Sequence, residues 1–138
     1  MRAALDDVFT FFSSARNLEA ITPPLLRFQV LTPEPIVLGP GAELDYRLSV
    51  RGVPVRWTTI IETWDPPHGF SDFQQQGPYA LWHHTHRFEA GDGGTWMEDH
   101  VRYALPFGII GRLAHWLVVR RDVESIFDYR ARKIDEIF

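Results

Sequence analysis

A chain of 138 residues, 45% hydrophobic and 14% aromatic, is long enough to fold as one domain with its own core. Its 14 basic and 18 acidic residues leave a net charge of −4 with no basic run, which removes the electrostatic footprint of a nucleic-acid binder. The absence of cysteine excludes disulfides, thiolate metal sites and a cysteine nucleophile, and no apolar run reaches the roughly 18 residues of a stable membrane span.

Met1-Arg2 leads straight into an acidic, amphipathic segment, so no signal peptide is read and a soluble cytoplasmic protein is expected. Asp6 and Asp7 suit the positive end of a helix, and Val8, Phe9, Phe11 and Phe12 follow at helical spacing. A first helix is predicted over 6–14. Ala15 to Ile21 reads as a second short helix, stopped by Thr22-Pro23-Pro24.

Strands follow. Leu26 to Leu31 is the first, then a Pro/Gly loop at 33–41. Residues 42–51 alternate cleanly, with Leu44, Tyr46, Leu48 and Val50 on one face, the pattern of an antiparallel sheet with one wet side. Val55 to Trp64 is the partner after the turn at Gly52-Val53-Pro54, and its imperfect alternation points to a bulge. Phe70 to Gln76 is next. The stretch Gly77–Phe88 opens with a Gly-Pro turn and then puts Trp82, His84, His86 and Phe88 on one face. A hairpin turn at 89–94 leads to Thr95–Leu105, whose apolar face (Met97, Val101, Tyr103) carries one acid, Asp99.

After Pro106-Phe107-Gly108, apolar residues recur near a 3.6 period from about Ile110 to the end, with an arginine, Arg130, at one stripe position. This predicts one helix of roughly 25–28 residues, about 40 Å long. Its stripe at Leu113, Leu117 and Phe127 is expected to be buried by the sheet. With no linker or repeat, residues 1–138 form a single domain. Its segregated helices and strands argue for an α+β fold, a curved antiparallel sheet around one long C-terminal helix, with two short N-terminal helices.

The segment Asn17-Leu18…Ile21-Thr22-Pro23-Pro24, the strand Gly77-Pro78-Tyr79…Trp82-x-His84-x-His86-x-Phe88 and the strand end Asp99-x-Val101-x-Tyr103-x-x-Pro106-x-Gly108 resemble the START-like, or polyketide cyclase/dehydrase-like (SRPBCC), superfamily, in its small bacterial ligand-binding branch. The resemblance spans nearly the whole chain. It implies a helix-grip fold, in which a seven-stranded sheet grips the C-terminal helix over a hydrophobic pocket. Such domains begin with a strand before the first helix. Here Met1 sits almost at that helix, so the first strand is expected to be missing or reduced to Arg2–Leu5.

Within that frame Tyr46, Trp57, Gln74, Tyr79, Trp82, His84, His86, Asp99, Tyr103 and Phe127 are the candidate ligand-binding residues. The hairpin should bring His84 or His86 opposite or diagonal to Asp99. Such a pair fixes register, hydrogen-bonds a ligand, or works as a general acid/base; His84, His86 and Asp99 are the catalytic candidates. A His-x-His strand with Asp72, Asp99 or Glu62 nearby also matches a two-His, one-carboxylate metal site, but the spacing is common by chance and no metal or cofactor is assigned. No serine has a triad context, and Gly91–Gly94 is a turn and not a phosphate loop. Trp64, Trp96 and Trp116 read as outward, and Trp64 with Trp96 as a homodimer patch. Three readings remain open: a binder of a hydrophobic aromatic, polyketide-like or lipid-like small molecule, a cyclase or dehydratase on such a molecule, and a stability or partner domain with no small ligand.

Overall fold

The computed structural model describes residues 1–138. Helices α1 (Leu5–Phe12) and α2 (Ala15–Ala20) precede a 3-10 turn at Pro24–Leu26 and six strands: β1 (Gln29–Val30), β2 (Glu43–Val50), β3 (Val53–Asp65), β4 (Gly69–Gln76), β5 (Leu81–Gly91) and β6 (Gly94–Ala104). The strands form one antiparallel sheet in chain order. The chain ends in a 30-residue helical run: α3 (Gly108–Ala114), a π-helical stretch at His115–Val119, and α4 (Arg120–Ile137). This is the helix-grip fold, with an open curved sheet around the C-terminal helix. No helix is long and apolar enough to cross a membrane.

The core follows from the patterning. Val8, Phe9 and Phe12, one face of α1, are buried together with Ile21, Ile61, Phe70, Phe88 and Ile134 of α4. Phe9 stands edge-on to Trp64, Phe70 and Phe88 at 5.3–6.2 Å, the geometry in which ring edges meet ring faces favourably. A second cluster joins Ala15, Val30, Leu44, Tyr46 and Trp57. Each of these large side chains contributes about 1.5–3 kcal/mol by leaving water, so α1 and α2 are pinned to the sheet by burial.

Four expectations are corrected. The predicted strand at Leu26–Leu31 shrinks to Gln29–Val30, because the 3-10 turn at Pro24–Leu26 ends in Arg27 at φ 47°, which is incompatible with an extended chain. Trp64 does not face outward: the register of β3 against β4 shifts between Ile61 and Thr63, so Ile61 and Trp64 both turn inward and Trp64 packs on Phe9 and Phe70. The anticipated Trp64–Trp96 patch is therefore not assembled, and only Trp96 is exposed. Leu113 and Leu117 are not under the sheet but 61% and 66% exposed. The start of the helix is held at the exit of β6, where a Cβ on Gly111 would lie 2.0 Å from the Pro106 carbonyl oxygen and the Tyr103 hydroxyl meets His115 Nε2 at 2.7 Å. Held there, the first turns point Leu113, Trp116 and Leu117 to solvent, and the buried side chains of the run are the later Val123 and Ile134.

The first strand is reduced, as the resemblance implies. Residues 1–3 form no full strand, yet Met1 exchanges backbone hydrogen bonds with Thr95 (2.9 and 3.1 Å), and the Thr95 hydroxyl donates to the Ala3 carbonyl at 2.8 Å. This short segment covers the start of the β6 edge.

Candidate functional site

Between the sheet and α4 lies a cavity of about 1070 Å³. Of the residues singled out in the sequence, Tyr46, Trp57, Tyr79, Trp82, His84, His86 and Phe127 line it. Trp57, Tyr79 and Trp82 form a continuous aromatic wall with ring centroids 4.9–5.5 Å apart. Tyr46 and Trp57 meet at Thr59: the Trp57 indole N–H points to the Thr59 hydroxyl oxygen at 3.1 Å, and the Tyr46 hydroxyl bonds the same oxygen. Burial pushes the Tyr46 phenol well above its ordinary range, and does the same to Tyr79, to about 12. Both phenols stay neutral through the physiological range.

Three candidates fall outside this lining. Gln74 donates its amide N–H to the Tyr79 carbonyl at 2.8 Å and accepts from the Tyr79 N–H at 3.1 Å, so it clamps the loop that carries Tyr79. Asp99 and Tyr103 line a shallower groove of about 460 Å³ with Val101, His115, Arg120 and Glu124. Asp99 touches the cavity wall only through its histidine partners.

Those partners form the polar corner. The period-2 alternation of β5 puts His84 and His86 on the inner face, and the β5–β6 register sets His86 directly opposite Asp99 and His84 opposite Val101, one diagonal away. Asp99 Oδ1 lies 3.0 Å from His84 Nε2 and 2.8 Å from His86 Nδ1. On the other side, Asp72 Oδ2 of β4 lies 3.3 Å from His86 Nε2. The His86 ring stacks on Phe70 at 4.3 Å and lies tilted against His84 at 3.8 Å.

The two imidazoles are therefore tuned in opposite directions. His84 is pushed down to about 4, by burial and by the neighbouring charge of His86. It is neutral, and because a carboxylate only accepts, its Nε2 carries the proton and Nδ1 the lone pair. For His86, burial works against the charged form, but carboxylates on both ring nitrogens outweigh it and raise the pKa. Its Nδ1 is close to Asp99 but not aligned for a hydrogen bond, so the attraction there is mainly charge on charge. For Asp99, burial favours the protonated form, and the His84 hydrogen bond and the close approach of His86 overcome it to hold the group well below the usual carboxylate range.

Arg130, from α4, completes the corner. It lines the cavity with Asp72, His84 and His86. Its guanidinium carbon lies 5.2 Å from the Phe127 ring centroid, and its Nε is sealed from solvent without a hydrogen-bond partner. Burial lowers its pKa, and the charges of Asp99 and Asp72 oppose that. Thr59 and Arg130 were not among the sequence candidates, and Asp72 was named only as a carboxylate near the His-x-His strand. Asp72 shares a strand face with Phe70, and Arg130 occupies an otherwise apolar helical stripe; each is a polar residue where the pattern calls for an apolar one. Asp72, His84 and His86 bring donor atoms within 4.8 Å of one another, but both His86 nitrogens already face carboxylates. Glu62 belongs to the other sheet face, where it takes His83 Nε2 at 2.6 Å.

Fold and cavity together define a helix-grip domain with a polar corner in an aromatic pocket. The chain belongs to the polyketide cyclase / dehydrase and lipid transport family, whose model matches residues 1–126. No curated protein matches the sequence. Among solved structures it is similar to protein Ms6760 from Mycobacterium smegmatis (19% identity, TM-score 0.70, covering 99% of this chain and 85% of that one). It is also similar to TTHA0849 from Thermus thermophilus (23% identity, TM-score 0.67, 99% and 93%) and to Ara h 8.0201 (13% identity, TM-score 0.62, 97% and 92%). At these identities the likeness is one of fold.

Proposed function

We propose that the domain binds a hydrophobic small molecule, aromatic, polyketide-like or lipid-like, in the cavity between the sheet and α4. The observation that carries this reading is the cavity itself: about 1070 Å³ in a 138-residue chain, walled by Trp57, Tyr79 and Trp82, with Asp72, His84, His86 and Arg130 gathered in one corner. Apolar walls with a few convergent polar groups are the usual build of a small-molecule site, and filling that space offsets the cost of leaving aromatic surface unpacked. The family description, which joins polyketide chemistry with lipid transport, points the same way. The test is native mass spectrometry of the protein purified from its own host. A co-purified apolar molecule, lost on replacing Trp57 and Trp82 by alanine, is the expected result; a ligand-free protein that also fails to bind N-phenyl-1-naphthylamine would sink the reading.

A second reading is a cyclase- or dehydratase-type enzyme. What favours it is the pair His84 and His86, one imidazole with its proton affinity lowered beside one with it raised, sharing Asp99, with both rings on the cavity wall. Environments that push neighbouring pKa values apart are how acid and base roles are divided. Replacing His84 and His86 by glutamine separates the readings: turnover lost with affinity kept identifies the enzyme, and affinity lost without turnover in either protein identifies the binder.

A further inference from the structure

We propose that Arg130 is the head-group anchor of the cavity, and that the ligand is an amphiphile with an apolar body and a carboxylate head. The inference rests on the cavity being the binding site and adds the chemical class of what it holds.

Three arginines line the cavity. Arg51 is already tied to Asp122 by two bonds of 2.9 and 3.0 Å, and Arg27 belongs to the turn after Pro24–Leu26. Arg130 alone stands in the polar corner. There the hydrogen bonding is lopsided. Asp99 is engaged by His84 and His86, and Asp72 by His86. No carboxylate comes within ion-pairing distance of Arg130, and its enclosed Nε has no partner. The corner has thus engaged both carboxylates and left an enclosed guanidinium donor, Arg130 Nε, unmatched. Leaving a buried donor without an acceptor is costly, and more so when it is charged. Phe127 offers the cation a ring face but no hydrogen-bond acceptor.

The missing partner is an oxygen pair. A guanidinium presents parallel N–H groups that a carboxylate meets two at a time. The charges favour it: the Arg130 guanidinium stands in the corner, and carboxylates at both His86 nitrogens bias that ring toward its charged form, so positive groups face an incoming carboxylate alongside Asp72 and Asp99. With the head at Arg130, the body lies along Trp57, Tyr79 and Trp82, which expose ring surface and few polar atoms to the same space.

The test uses the whole protein. N-phenyl-1-naphthylamine fluorescence reports occupancy of the cavity, and displacement compares 2-naphthoate with 2-naphthamide, the same ring system with an uncharged head. Wild-type protein should release the dye to naphthoate at a concentration about tenfold below that for the amide. Arg130→Met should bring naphthoate to the level of the amide in the same protein, while Arg130→Lys should keep part of the preference. Thermal melts establish that each variant is folded, and the wild-type comparison stands even if Arg130→Met does not fold. Equal displacement by the two competitors overturns the anchor. So does displacement by neither from a dye-loaded protein, or a naphthoate preference that survives in folded Arg130→Met. A dye that does not bind at all overturns the cavity reading itself, a different failure from that of the anchor.

Discussion

His86 Nδ1 lies 2.8 Å from Asp99 Oδ1, directly across the β5–β6 ladder. The same oxygen is 3.0 Å from His84 Nε2, so one carboxylate orders two imidazoles whose proton affinities move apart. His84 falls from 6.5 to about 4, and its contribution to stability is present above pH 6.5 and lost as the pH drops toward 4. His86 is raised, and its contribution is present below pH 6.5 and lost as the pH climbs through its folded value. Asp99 is lowered from 3.8, so its contribution holds above that pH and is lost only below it. Thermal melts from pH 4 to 9 should therefore peak near pH 6.5. The acid-side loss from His84 should be on the order of 2–3 kcal/mol. His84→Gln should flatten the acid limb between pH 6.5 and 4, and His86→Gln the alkaline limb. A wild-type profile that rises steadily from pH 6.5 to 9 would contradict the assignment.

Much of this corner was legible in the sequence. Period-2 alternation sets His84, His86 and Asp99 on one face, and a hairpin of fixed length sets their register. What alternation cannot show is where it breaks. The register shift at Ile61–Thr63 turns Trp64 inward, and nothing in the residue types of β3 says which residue is the extra one. Helical periodicity likewise groups Leu113, Leu117 and Phe127 on one stripe but is silent on how much of that stripe the sheet reaches. Arg130 was visible as a break in the stripe; only the fold puts Asp72 and Asp99 in its vicinity.

The exposed half of the stripe gives a direct check. Because Leu113 and Leu117 are mostly in water, the double substitution Leu113→Ser, Leu117→Ser should change the free energy of unfolding by less than about 1 kcal/mol. Val123→Ala and Ile134→Ala remove buried methyl groups and should cost about 1–3 kcal/mol each. Urea denaturation reads all three. A loss above about 3 kcal/mol in the double variant would mean that the start of the helix is packed.

Gly69 controls how closely β4 approaches β5 at the site. A Cβ there would lie 2.3 Å from the His86 carbonyl oxygen, a backbone atom that cannot swing aside. Gly69→Ala must push the strands apart where Asp72 reaches His86. The expected cost is about 1–3 kcal/mol by urea denaturation, with a fall in the His86 pKa by NMR titration as the Asp72 contact lengthens. An alanine variant with wild-type stability and an unshifted His86 would show that the ladder has slack at this point.

Arg51 links the β2–β3 hairpin to the start of α4, and both Arg51 and its partner Asp122 line the cavity. The hairpin turn holds Arg51 at φ 50° and Gly52 at φ 81°, the paired left-handed conformation for which Asn-Gly is the preferred sequence. Arg51→Asn therefore removes the ion pair while improving the turn. An exposed pair of this kind is worth at most about 1 kcal/mol, so the two effects should leave the melting temperature within a few degrees of wild type. The consequence should be kinetic: with the hairpin untied from α4, N-phenyl-1-naphthylamine should dissociate several times faster in stopped-flow displacement at nearly unchanged stability. High salt, which weakens the exposed pair in the wild type, should speed release in the wild type and not in the variant. Equal release rates in the two proteins at low salt would mean that the ligand leaves by another route.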